Sequence, residues 1–438
     1  MTQNEGLKKT LTPFMLWGLG VGYVISGMYF GWNLGLEKGG TGGMAIATVV
    51  IMLMYVTFTF SYAELACAIP KAGGVFDYAN RAMGKDIGFI AGIAQVIEFI
   101  LAPPAIAFAI GAYFNAFFPQ VPILTSAIAI YFVFTALNVY GVQAAASFEM
   151  IVTVLAVGEL LLFSGLTLPK FQTVHLTHNA LPNGWNGAFA AIPFAIWFFL
   201  GIEGIANVAE ETKNPQRDIS KGFGWAILTL AILCILVFVA ATGIAGWETI
   251  VYKNGISGDT SDSPLPLAMA KITGDNHLMY HLLITVGLFG LVASFHGLIL
   301  AAGRSTYEMG RVHNLPAFLG KISPRFQTPA NALAGNMVIG ILALLSGKTA
   351  EIIVVSVFGA LTLYIISMVS IIVLRKREPD LPRPFKVAWY PAFPIIALVI
   401  ATVSIIAMFI FNGILGLIYF SVLAITFLLY KIFKPANT

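Results

Sequence analysis

Apolar residues run through this 438-residue chain in blocks of about twenty, separated by short polar stretches. Lipid offers a backbone amide no partner, so a block of that length is satisfied as a helix crossing the hydrocarbon. The pattern predicts twelve such helices, at residues 14–36, 44–68, 87–114, 123–140, 148–168, 186–209, 223–245, 278–307, 330–345, 351–374, 391–411 and 413–433. Two long connections, 169–185 and 247–277, hold the Asn, Gly, Asp, Ser and Pro of turns and are expected to border an outer vestibule. No stretch reads as a soluble domain, so residues 1–438 are expected to form one transmembrane unit.

Composition strengthens that reading. The chain is 58% hydrophobic and only 10% charged, against about 25% charged in a soluble domain. So few charges cannot cover a water-facing surface, and an all-α membrane protein follows. The formal net charge of +4 is too small and scattered for a nucleic-acid partner. Cys67 and Cys234 suggest neither a disulfide framework nor a metal site, and the six histidines show no ligand spacing. No G-x-S-x-G elbow or Walker loop appears, so neither an enzyme nor a bound cofactor is expected. The apolar run after Lys8 and Lys9 has no cleavage pattern and reads as a retained first helix.

Orientation follows from the basic residues, which stay on the cytoplasmic side. Lys71, Arg81, Lys213, Arg217, Arg304, Arg311, Arg375 and others cluster where even-numbered helices end, and Lys8, Lys9, Lys431 and Lys434 lie near the termini. Only Lys38, Lys170, Lys253, Lys271 and Lys348 fall on the other side. Both termini are therefore expected in the cytoplasm, with the chain in the inner membrane.

Two blocks carry glycine where a spanning helix would avoid it. The first contains Gly20, Gly22, Gly27 and Gly31, and the sixth contains Gly201 and Gly204. Blocks one and six are where two inverted five-helix repeats would place matching interruptions. On that expectation repeat one covers about residues 13–168, repeat two about 186–375, and helices eleven and twelve about 391–433. Unwinding would free carbonyls for cations and amides for anions. The other reading is that these glycines only let helices pack closely.

Acidic residues interrupt the apolar blocks at Glu98, Glu149, Glu159 and Glu203, whereas lysine and arginine fall within blocks only near their ends, at Arg304 and Lys431. A charge at the bilayer centre costs at least ~2.5 kcal/mol on insertion scales, so such groups face a cavity or a partner. Acids without basic partners favour an organic cation. Glu98 is the leading candidate for contact with an ammonium group; the bland alternative is a protonated acid that only packs.

Several motifs carry a family resemblance. The run Gly201-Ile202-Glu203 to Asp218, with Ala209-Glu210-Glu211-Thr212-Lys213-Asn214-Pro215-Gln216-Arg217, resembles the sixth-helix signature of the amino acid, polyamine and organocation permeases. Ser61-Tyr62-Ala63-Glu64-Leu65, continuing to Pro70-Lys71-Ala72-Gly73-Gly74, is similar to their second-helix signature, and Arg304 to Arg311 to their eighth helix. Within that family, Gln95-Val96-Ile97-Glu98-Phe99 and Ala102-Pro103-Pro104-Ala105 look most like the ethanolamine permeases. The resemblance implies a secondary transporter working by alternating access, importing ethanolamine or a similar small cationic amine; the alternative is an amino acid permease, either proton symporter or exchanger.

The resemblance also implies a site. Substrate contacts are expected from Tyr23, Ser26, Gly27 and Met28 in the first helix and Glu98, Phe99 and Ala102 in the third. Trp197, Phe198 and Gly201 in the sixth and Ser294 and Phe295 in the eighth complete the set. Glu203, Trp197, His296 and Glu159 are expected to gate or to handle a coupling proton. Amino acid permeases of the family hold the substrate carboxylate on a G-S/T-G turn, which here reads Ile25-Ser26-Gly27. The branched Ile25 disfavours close approach of an anion to the backbone. Some proton-coupled members carry a fifth-helix lysine where this chain has Ala156.

Overall fold

The computed structural model describes residues 9–140, 143–254, 258–274 and 278–433; Lys8, Lys434 and His277, discussed above, lie outside these. Ten of its helices are long and apolar enough to cross a membrane, and two shorter apolar helices accompany them. Among the described residues there is no strand, only two isolated bridges. The all-helical expectation holds.

The first block is not one helix. Helix α1 (Pro13–Val24) begins behind Thr12, whose hydroxyl accepts from the Met15 N–H, with Pro13 at its first turn. It gives way at Ile25 to a single turn, α2 (Ser26–Tyr29). Phe30 is then extended and Gly31 adopts φ 89° before α3 (Trp32–Ala68) starts. That helix turns at Gly40, with φ 63° and ψ −172°, so the part before Gly40 completes the first block and the part after it is the second. The predicted span 14–36 is thus three pieces, parted at Ile25 and at Phe30–Gly31, where Gly31 takes a backbone angle that side chains with Cβ rarely adopt.

A short helix, α4 (Val75–Met83), leads into α5 (Lys85–Phe117), which continues through Pro103 and Pro104. Next come α6 (Ile123–Tyr140) and α7 (Gln143–Thr167). The connection 169–185 holds one turn, α8 (Thr173–Thr177). The sixth block is then also broken, into α9 (Gly184–Ala190), α10 (Ile192–Trp197), and a 3-10 helix (Ile202–Glu211) that follows Gly201 at φ 98°. The remaining elements are α11 (Pro215–Ala245), the loop helices α12 (Glu248–Val251) and α13 (Pro264–Thr273), then α14 (Leu278–Arg311), α15 (Ala330–Leu344), α16 (Thr349–Arg377), α17 (Ala392–Phe411) and α18 (Gly413–Phe433).

Packing pairs recur between the two halves. Helix α1 packs on α7 and α11; α10, five blocks later, packs on α16 and α3. Likewise α5 packs on α6 and α16, while α14 packs on α15 and α7. Helices α5 and α14 meet at the centre, and α18 lies at the edge with Ile414, Leu417, Ile432 and Phe433 exposed as a lipid-facing surface requires.

One end of the bundle is pinned by ions. Glu64 of α3 is buried and accepts two hydrogen bonds from Arg375 of α16, each 2.7 Å, and one from the Val387 amide at 2.7 Å. Arg375 also lies over the Tyr390 ring at 4.4 Å. At the same end Thr10 and Leu11 donate to the Glu211 carbonyl and Arg304 pairs with the Glu211 carboxylate at 2.8 Å. The motif residues that signalled the family are thus clamps tying helices together.

Candidate substrate and coupling site

The two breaks touch. Gly27 lies so close to the Trp197 carbonyl that a Cβ there would collide with it, and one at Gly31 would meet the Trp197 indole. Phe30 packs edge-on to that indole at 5.6 Å, and Trp32 stacks on Phe198 at 5.7 Å while its N–H donates to the Met28 carbonyl at 3.2 Å. Trp197 is buried with its indole N–H unpartnered. Expected residues Gly27, Met28, Trp197 and Phe198 therefore share one junction, and Gly201 lies beside Tyr23 and Leu298.

Tyr23 lies one turn earlier. Its ring occupies the space that a Cβ would fill at Gly204 and Gly297, so it wedges between the sixth and eighth blocks. Ser294 of α14 stitches the break: its hydroxyl accepts from the Ser26 N–H at 2.9 Å and donates to the Gly22 carbonyl at 2.5 Å. A loosened helix exposes such groups, and here one serine satisfies both a donor and an acceptor. Ile25 keeps helical angles, φ −60° and ψ −23°.

Facing the sixth block from α5 is a polar stripe. Gln95 and Glu98 are one turn apart, as are Glu203 and Asn207 on the 3-10 helix, and the stripes meet. The Gln95 amide donates to Asn207 at 3.2 Å and Asn207 donates to Ser305 of α14 at 3.1 Å. Glu98 and Glu203 lie side by side, both fully buried. Glu203 accepts from the Tyr364 hydroxyl at 3.0 Å, which is 3.0 Å from the Tyr55 hydroxyl. The two carboxyls are close enough to share one hydrogen bond when either carries a proton; outside that contact both Glu98 oxygens and one Glu203 oxygen have no partner, and neither acid is ion-paired, among the described residues. Pro103 and Pro104 lack an N–H, so the Phe99 and Ile100 carbonyls lose their usual helical donors and add negative potential beside Glu98. Ser356 and Gly359 of α16 back this helix, Ser356 donating to the Glu98 carbonyl at 2.9 Å.

Other expected residues lie elsewhere. Phe99 and Ala102 are buried on α5. Phe295 packs edge-on to Tyr131 of α6 at 5.0 Å. Glu159 accepts from the Tyr29 hydroxyl, while Tyr113 donates to the Tyr29 carbonyl at 3.1 Å. His296 pairs with Glu149 at 3.2 Å. An open cleft of about 420 Å³ lined by Lys170, Phe171, Gln172, Ile244 and Lys271 holds none of these residues and sits among loops. Sequence reasoning missed Tyr55, Tyr364, Asn207 and Tyr29. The signal available was a polar group inside an apolar block, which Asn207 gives plainly and a tyrosine gives weakly because its ring is apolar.

An all-helical membrane protein with two apposed helix breaks and buried acids at its centre has the build of a multi-pass transporter. A family model described as amino acid permease matches residues 11–430, and the chain belongs to that family, within the amino acid, polyamine and organocation superfamily. It is 27% identical to an uncharacterized transporter of Rhizobium meliloti (strain 1021), over 93% of this chain and 88% of that protein. It is also 27% identical to the branched-chain amino acid permease BcaP of Bacillus subtilis (strain 168), over 90% of this chain and 87% of the relative. To the low-affinity putrescine importer PlaP of Escherichia coli (strain K12) it is 26% identical, over 89% and 87%. These relatives are transporters and not enzymes.

Proposed function

We propose that this permease imports a small organic cation, ethanolamine or an amine of similar size, by alternating access about the breaks in its first and sixth crossings. The observation that carries the reading is the Glu98–Glu203 pair: two buried acids side by side, with three oxygens that have no partner outside the pair and, among the described residues, no basic residue to neutralise them. A buried carboxylate needs a cation or a proton, and an ammonium group supplies both charge and donors. Trp197 adds an aromatic face suited to a cation.

Ser294 argues in the same direction. The Ser26 amide, which an incoming carboxylate would need, already donates to a serine hydroxyl. An amino acid substrate would also bring its own negative charge toward Glu98 and Glu203. The amino acid alternative draws support from the substrate in the name of the Bacillus subtilis relative, whereas the Escherichia coli relative is named for a diamine. Matching packing pairs in the two halves support two inverted repeats, about 13–168 and 186–375, followed by two further helices at about 391–433. The basic-residue asymmetry supports cytoplasmic termini in an inner membrane.

The test is uptake of radiolabelled ethanolamine into proteoliposomes, with choline, alanine and arginine as competitors. Saturable uptake suppressed by amines more than by alanine is expected. Glu98→Gln should lower it at least about tenfold, since a lost charge-assisted contact is worth ~1.5 to 3 kcal/mol. Saturable alanine uptake with no amine competition would overturn the proposal.

A further inference from the structure

A second buried acid lies apart from the pair at the centre. Glu149 on α7 is 1% exposed; its Oε2 stands 3.2 Å from Nδ1 of His296 on α14, and its Oε1 has no partner. The carboxyl presses on two glycines: a Cβ at Gly22 of α1 would run into Oε1, and one at Gly297 of α14 would sit tight against it at 3.0 Å. A side chain at Gly22 would push the acid away, while one at Gly297 would strike the Tyr23 ring first, so the contact with α1 depends on Gly22. Thr153, one turn along α7, donates to the Gly18 carbonyl at 3.2 Å and completes the seam.

We propose that Glu149 and His296 form a proton-binding site whose occupancy is read by the first-helix break. Two nitrogens and two oxygens are available, and a proton lies between Nδ1 and Oε2 in either tautomer of the pair. With one proton the pair is neutral overall, as carboxylate with imidazolium or as acid with imidazole. Without it the pair carries one negative charge in a buried seam. His296 is the one titratable partner hydrogen-bonded to Glu149 among the described residues; α1 presents Tyr23, which also feels Arg304 and Glu211, and besides Glu149 the imidazole meets the rings of Phe134 on α6 and Phe148 on α7.

The neutral pair suits the closed packing, because a bare negative charge against α1 is costly unless water or a cation reaches it. Losing the proton therefore favours an arrangement in which α1 and α14 part. Gly22 is the residue whose carbonyl accepts from Ser294, and Ser294 in turn holds the Ser26 amide. Movement at Gly22 thus reaches the break through two hydrogen bonds. Coupling in this sense requires only that the two helix arrangements differ in proton affinity.

This inference rests on the amine reading only for its substrate. Proteoliposomes loaded with a pH-sensitive dye are given an acid-outside gradient and ethanolamine, and ethanolamine counterflow is measured without a gradient. In the wild type, gradient-driven accumulation and lumenal acidification are expected. Glu149→Gln and His296→Gln should keep counterflow within about threefold while losing most of the gradient-driven component, at least tenfold. Retention of gradient-driven uptake by both variants, or wild-type counterflow with no response to the gradient, would overturn the site. Absent wild-type counterflow would instead sink the ethanolamine assignment. In that case infrared titration of the purified protein decides: a carboxyl band that titrates in the wild type and is missing in Glu149→Gln supports the site, and an unchanged band removes it.

Discussion

Ser294→Ala isolates the step on which substrate class turns. The serine hydroxyl makes two hydrogen bonds at the break, accepting from the Ser26 N–H at 2.9 Å and donating to the Gly22 carbonyl at 2.5 Å. Removing it leaves a buried amide and a buried carbonyl, on Ser26 at 3% exposure and on buried Gly22. Each bond contributes about 0.5–1.5 kcal/mol net, and an orphaned buried donor costs about 1–3 kcal/mol. The loss should therefore total roughly 1–3 kcal/mol, or about a 5- to 150-fold change if it falls on the transport-competent state. The freed amide also becomes a donor for an anion. Ethanolamine uptake should fall and alanine competition should rise in the same variant. Thermal unfolding in detergent reads the stability part, and paired uptake assays read the selectivity part. An unchanged melting temperature with unchanged preference between alanine and ethanolamine would refute the role assigned to Ser294.

Three further outcomes follow from the geometry. Gly201→Ala places a Cβ at φ 98°, with the Leu298 side chain 3.2 Å away; it should cost about 1–2 kcal/mol and abolish transport, as seen by melting and uptake. Glu64→Gln breaks a buried cluster with Arg375 and Arg383, and should cost about 3 kcal/mol, near the low end for such pairs because Arg375 is 22% exposed; a melting temperature within a degree of wild type would contradict it. Asp262, in the connection between α12 and α13, accepts from the Thr349 hydroxyl at 3.1 Å, and burial pushes its carboxyl up to about 6. The folded state then holds a proton that the unfolded chain releases, so stability from this group is present below pH about 4 and is lost as pH rises toward 6. Asp262→Asn should flatten melting temperature across that window, and an equally steep profile in the variant would rule the group out.

The blocks of apolar residues determined most of the fold by themselves, because in lipid the length of a block and its need for internal hydrogen bonds leave few alternatives. They located ten spanning helices and two shorter ones, and their glycines marked the first and sixth blocks. Where the chain actually leaves the helix was decided by tertiary structure. Phe30, Gly31 and Gly201 break rather than Gly20 or Gly22, since the latter two are used for close packing against Ile205 and Glu149. The acids were legible as a set, yet nothing in their spacing says that Glu98 meets Glu203, that Glu159 meets Tyr29, or that Glu149 meets His296. Those partnerships join residues more than a hundred positions apart, and only the way the helices stack brings them within reach.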